Sequence, residues 1–205
     1  MTAHKNDFTH MSVKWAPFMA ICASLFLAAC AAAPARVADK YYDLQPRIGS
    51  FMFGSNASIR VDSITVKGLQ SGRPLVIQAG DAPVHYEEVR GHLWHVAPST
   101  LLQRAIVDAL SDASGDATIG TSETLDTNDF RLKLTVTKLV IMPDEAAAID
   151  IEAVLKNKSG DILLVETYQG QTGVRGAGYD AAVLAMQDAL ADVITRLAAD
   201  IRQAL

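Results

Sequence analysis

Phe130-Arg131-Leu132-Lys133-Leu134-Thr135-Val136-Thr137 sets an apolar residue at every second position and a polar one between. Side chains in an extended chain point alternately to opposite faces, so this run is a strand with one face buried and one in water. Ile149, Ile151, Ala153 and Leu155 alternate in the same way. Asn157-Lys158-Ser159-Gly160 then reads as a hairpin turn into a third strand over 162–168. Past a Gly-rich loop, Val183, Met186, Leu190, Val193, Leu197 and Ile201 recur at helical spacing. They form one apolar face of a long helix starting near Asp180, with charged residues opposite.

Upstream, Tyr41-Tyr42-Asp43-Leu44 reads as a short strand, and 59–66 as a second in which Asp62-Ser63 shifts the apolar parity, a bulge. A third covers 74–78 and a fourth 84–89. Trp94, at a strand-to-helix corner, reads as a core aromatic. Pro98-Ser99-Thr100 opens a helix whose Leu101, Leu102, Ala105, Ile106, Ala109 and Leu110 share a face, ending near Gly115. The order is strands, helix, a three-stranded meander and helix. It predicts an α+β domain: a mainly antiparallel sheet with two helices packed on one face, a two-layer sandwich.

The N-terminal segment sets the compartment. An apolar run from Phe18 ends in Leu27-Ala28-Ala29-Cys30, with Lys14 supplying positive charge before it. The run is short for a bilayer span and Pro17 interrupts its start, which disfavours an uncleaved anchor; it has the form of a secretory leader. Ordinary secretion with a free thiol is the other alternative. Met11 would give a more usual leader length than Met1, without altering the mature chain. The L-A-A-C pattern resembles the lipobox of bacterial lipoproteins. That resemblance implies cleavage before Cys30, a diacylglyceryl group on its sulfur, and acylation of the new N-terminus.

The chain accordingly divides into a leader (1–29), a lipidated cysteine and tether (30–40) and one domain (41–205). Without Lys5, Asp7 and Lys14, 16 basic and 22 acidic side chains remain, a net charge of about −6. An acidic body offers no footprint for nucleic acid and no help on an anionic membrane. The acyl chains must hold it there, at ~0.8 kcal/mol per buried methylene, and two or three chains hold firmly. Cys22 leaves with the leader and Cys30 is consumed, so the domain carries no disulfide. The Ala-rich tether reaches at most ~35 Å when extended.

The Tyr41–Leu44 stretch after the tether, Ile59-Arg60-Val61-Asp62, the Tyr86 and Trp94 region leading to the Pro98 helix, the Phe130 strand and the closing hairpin and helix together resemble the ABC-type transport auxiliary lipoprotein family (the PqiC/YmbA type). The resemblance spans nearly all of the mature chain, with 79–91 fitting least. It implies a periplasm-facing, non-enzymatic lipoprotein working with an ABC ATPase, a permease and a membrane-anchored MCE (MlaD-like) protein. Such systems move phospholipids or other hydrophobic molecules between membranes. Ala31 rather than Asp after the cysteine implies, by analogy with lipoprotein sorting, the outer membrane.

Several constellations have both a chemical and a plainer reading. Gly176-Ala177-Gly178-Tyr179-Asp180-Ala181 fits a dinucleotide fingerprint, but no strand follows its helix and Asp180 would oppose a pyrophosphate. His85, His92 and His95 with Glu87 and Glu88 have zinc-ligand chemistry without a recognised spacing, so they read as surface or loop residues. No G-x-S-x-G or H-E-x-x-H motif occurs, and neither enzyme activity nor a cofactor is expected. Phe51-Met52-Phe53 reads either as core or as an exposed lip touching lipid, a partner or another copy. The competing functional classes are a lipid-carrying lipoprotein with a pocket between helices and sheet, and a structural or assembly lipoprotein on an outer-membrane barrel or the cell wall. Self-assembly through an exposed strand edge stays open. Mass spectrometry of the native protein is expected to find Cys30 as a lipid-modified N-terminus; a free thiol or a retained leader contradicts it.

Overall fold

The computed structural model describes residues 38–53, 56–79 and 85–205. The leader and Cys30 lie outside them, as does Val84 of the expected fourth strand. The strands are β1 (Lys40–Tyr42), β2 (Ser58–Val61), β3 (Thr65–Val66), β4 (Pro74–Gln78), β5 (Tyr86–Trp94), β6 (Thr118–Gly120), β7 (Phe130–Met142), β8 (Ala146–Asn157) and β9 (Ile162–Gly173). The helices are α1 (Pro98–Ala113) and α2 (Gly178–Ala204), with a 3₁₀ turn over Gly68–Ser71. Among the described residues no helix is long and apolar enough to cross a membrane.

β7 is the spine of one nine-stranded sheet. Along one edge β2, β3 and β4 line up in succession, all parallel to it: Ile59 opposite Phe130, Thr65 opposite Thr135, Ile77 opposite Ile141. Along the other edge β8 pairs antiparallel from Phe130–Asn157 to Met142–Ala146, and β9 pairs antiparallel with β8. β6 extends the sheet beyond β2, and β5 and β1 extend it beyond β4.

The expectation of a mainly antiparallel sheet is therefore corrected. The sheet is mixed, with five parallel and three antiparallel pairings among the described strands. The physical reason is that alternation reports one wet face and says nothing of strand direction. Parallel strands usually have both faces covered. Here short ones join a sheet whose second face is exposed around Arg131, Lys133, Glu152 and Lys156 and buries Val76, Val140 and Ala148 toward the other end. The expected bulge at Asp62-Ser63 is instead a break between β2 and β3. Both halves stay tied to β7, through Asp62 N–H to Leu132 O (2.9 Å) and Lys67 N–H to Val136 O (3.0 Å).

The two helices and the sheet enclose one core. Leu132, Leu134 and Val136 of β7 meet Ile149, Ile151 and Leu155 of β8, with Met186, Leu190, Val193 and Leu197 of α2 and Leu101, Ile106 and Leu110 of α1 above them. Arg131, Lys133, Glu152 and Lys156 point out of the opposite face. The register shift between Val136 and Lys138 resets the parity, so that Leu139 and Ile141 also turn inward. Trp94, at the end of β5, is buried as expected.

α2 lies very close to β9 at Gly170. A Cβ there would fall 2.6 Å from the Ala189 carbonyl oxygen and 2.7 Å from Val193 Cγ2. Nearby, Tyr168 donates to Asp200 of α2 (2.7 Å), and burial followed by that bond raises its hydroxyl pKa. Gly170→Ala should push helix from sheet and cost about 1–3 kcal/mol in urea unfolding. Gly173→Ala, whose Cβ would meet nothing nearer than 3.7 Å, should leave the midpoint unchanged.

Candidate functional site

The chain enters the domain through β1 and then crosses the two helices as an extended strap over 43–53. β1 is short and lies at the sheet's edge, so side chains must hold it. The Tyr42 hydroxyl donates to Asp180 in the first turn of α2 (2.8 Å) and also lies 2.8 Å from His92 Nδ1. The His92 ring stacks on Tyr42 (5.8 Å between centroids) and touches Tyr179 (4.4 Å). Burial and the Asp180 bond push the Tyr42 pKa up to about 12. The same bond, with Lys40 at 3.5 Å, holds the Asp180 carboxyl below the usual range. Asp180 thus caps no phosphate; it fastens the entering strand to α2.

Beyond β1, Arg104 of α1 grips Asp43 with two bonds of 2.7 and 2.8 Å. The Gln45 N–H donates to Gln187 of α2 (3.1 Å), and the Phe51 N–H to Ala113 O at the end of α1 (3.0 Å). Leu44 and Phe53 are buried plugs toward either end of the strap.

The three candidate contact residues therefore have different fates. Phe53 is 3% exposed and belongs to the core, its N–H donating to Asp116 (2.9 Å). Phe51 is half-buried, edge-on to Phe53 at 4.8 Å, and lines a groove of about 240 Å³ against Ala198 and Arg202 of α2. Met52 is 61% exposed. The lip is thus one side chain, with Phe51 supporting it. Cys30, the expected lipidation residue, lies outside the described residues.

The histidines do not converge. His92 serves Tyr42, while His85 pairs with Glu87 at 3.1 Å. Among the described residues no group of three or more His, Cys, Asp or Glu side chains gathers in a metal-binding arrangement.

One feature escaped the sequence reading: a depression of about 480 Å³ on the open face of the sheet, lined by Asp62, Ser63, Ser122, Arg131, Lys133, Val154 and Lys156. Arg131 and Lys133 share a face by alternation and were legible. That Lys156 lies opposite Arg131, and Arg60 opposite it on the other side, needs the strand register.

A model of the ABC-type transport auxiliary lipoprotein component family matches residues 42–198. Among solved structures, a Xanthomonas campestris protein of the DUF330 family superposes with a TM-score of 0.67 at 18% identity, covering 78% of this chain and 92% of that one. An uncharacterized protein superposes at 0.65 with 23% identity, covering 82% and 98% respectively. At these identities the likeness speaks for the fold alone. No curated protein matches by sequence. Met52→Ser should leave the urea midpoint unchanged, while Phe53→Ala should cost about 3–5 kcal/mol. Equal losses would return Met52 to the core.

Proposed function

The chain belongs to the ABC-type transport auxiliary lipoprotein component family, and from that premise we propose a non-enzymatic docking component of an MCE-type ABC system. In this reading it is anchored by lipid to the outer membrane, faces the periplasm, and serves the movement of phospholipids or other hydrophobic molecules across the envelope. The observation that carries the proposal is the family match over 42–198, which takes in every described element save the first two residues of β1 and the C-terminal end of α2. Leu27-Ala28-Ala29-Cys30 supplies the anchor, and Ala31 the outer-membrane assignment.

The division of labour follows from the physics. An acidic body is not drawn to an anionic leaflet, so acyl chains fix position and the tether gives reach. Met52 on the strap and the outer edge of β9, which pairs only with β8 among the described strands, are the surfaces open to a partner. A free strand edge is a template for strand addition or for self-assembly. The carrier alternative needs space between helices and sheet. That layer is filled by Leu134, Ile149, Ile151, Leu190, Val193 and Leu197, each with no exposed surface.

A photo-cross-linker at Met52, with a second in the 157–160 turn, tests the proposal in cells. Adducts with an MCE protein or an ABC permease are expected. Adducts with an outer-membrane barrel alone would favour the assembly class.

A further inference from the structure

We propose that the depression at the turn end of the sheet's open face binds the phosphate headgroup of an amphiphile, with its apolar tail on β9. The inference deepens the transport reading and rests on it only for the biological source of the ligand. Its evidence is a row of cations across three neighbouring strands. Arg60 of β2, Arg131 of β7 and Lys156 of β8 occupy directly opposed register positions. Lys133 lies two residues along β7 from Arg131, on the same face. Like charges directly opposed across strands are destabilising, and in a body of net charge about −6 such a row is not a consequence of composition.

The local charge is not cancelled. Among the described residues Asp62 is the only acid lining the depression, and it is shared between Arg60 Nε (3.5 Å) and Arg131 (3.2 Å). Arg60 Nε is buried without a hydrogen-bond partner in the described structure. Lys133 and Lys156 have no ion-pair partner among the described residues. The site therefore holds an excess of positive charge, with Ser63 and Ser122 offering hydroxyls at its wall. A phosphate accepts several charge-assisted bonds from such an arrangement, and about 480 Å³ accommodates a headgroup.

The tail follows from the next positions in register. Lys133 faces Val154, a wall of the depression, and Val154 faces Val165 on β9, 62% exposed. Lys156 faces Ile162, 59% exposed. Cations thus pass directly into exposed apolar side chains on an edge strand, an arrangement that suits an amphiphile better than a free anion.

The test is isothermal titration of the full lipidated chain in a nonionic detergent, with three probes: dihexanoyl phosphatidic acid, dihexanoyl phosphatidylcholine and inorganic phosphate. Phosphatidic acid should bind about tenfold or more tightly than either other probe. The double variant Lys133→Gln/Lys156→Gln should lose that preference while its Tm holds or rises, since a repulsion is removed. Val165→Ser should weaken phosphatidic acid and leave inorganic phosphate unchanged. Inorganic phosphate binding as tightly as phosphatidic acid overturns the amphiphile, and equal binding by wild type and double variant overturns the site. Cross-linking at Met52 in the wild-type chain separates the two readings: adducts formed while that chain binds no phosphatidic acid overturn this inference alone.

Discussion

One strand, Phe130–Met142, bears the constraint on which the rest depends: its backbone must be hydrogen-bonded along both edges while one of its faces is dry. β8 satisfies one edge almost alone. The other edge is satisfied piecewise, by β2, β3 and β4 in series. The three short strands follow one another along β7 in chain order, from Ile59 beside Phe130 to Ile77 beside Ile141, so all three run parallel to it. The break at Asp62-Ser63 and the 3₁₀ turn at Gly68–Ser71 are the steps between them.

The two faces of that strand divide the molecule's tasks. The inner face, with α1 and α2 laid over it, is filled with aliphatic side chains and carries stability. The close approach of α2 at Gly170 shows how little room that layer leaves. Among the described residues no helix packs on the outer face, and its turn end holds charge. Arg60, Arg131, Lys133 and Lys156 gather at one end of it, beside exposed valine and isoleucine on the edge strand.

The entering segment is fastened to both helices. β1 makes only three register pairs with β5, too few to anchor a chain end unaided. The Tyr42–Asp180 and Asp43–Arg104 contacts tie it to both helices instead. The strap then buries Leu44 and Phe53 and leaves Met52 outside. The described chain thus enters the domain at a fixed point beside the α2 N-terminus.

The sequence by itself determined the long elements and their inward faces. Periodicity is local, and it placed the Phe130 strand, the hairpin at Asn157–Gly160, the Pro98 helix and the α2 stripe; the family resemblance was legible in the same landmarks. The resemblance of Leu27-Ala28-Ala29-Cys30 to a lipobox is likewise a reading of local sequence. Only the tertiary structure decided strand direction, the division of 59–66 into two strands, the presence of β6, and the separate fates of Phe51, Met52 and Phe53. Those depend on which distant segments lie alongside. Alternation tells a side chain which face it takes and is blind to what its neighbour strand brings. For that reason the cation row across β2, β7 and β8 exists in register and nowhere in the linear order of residues.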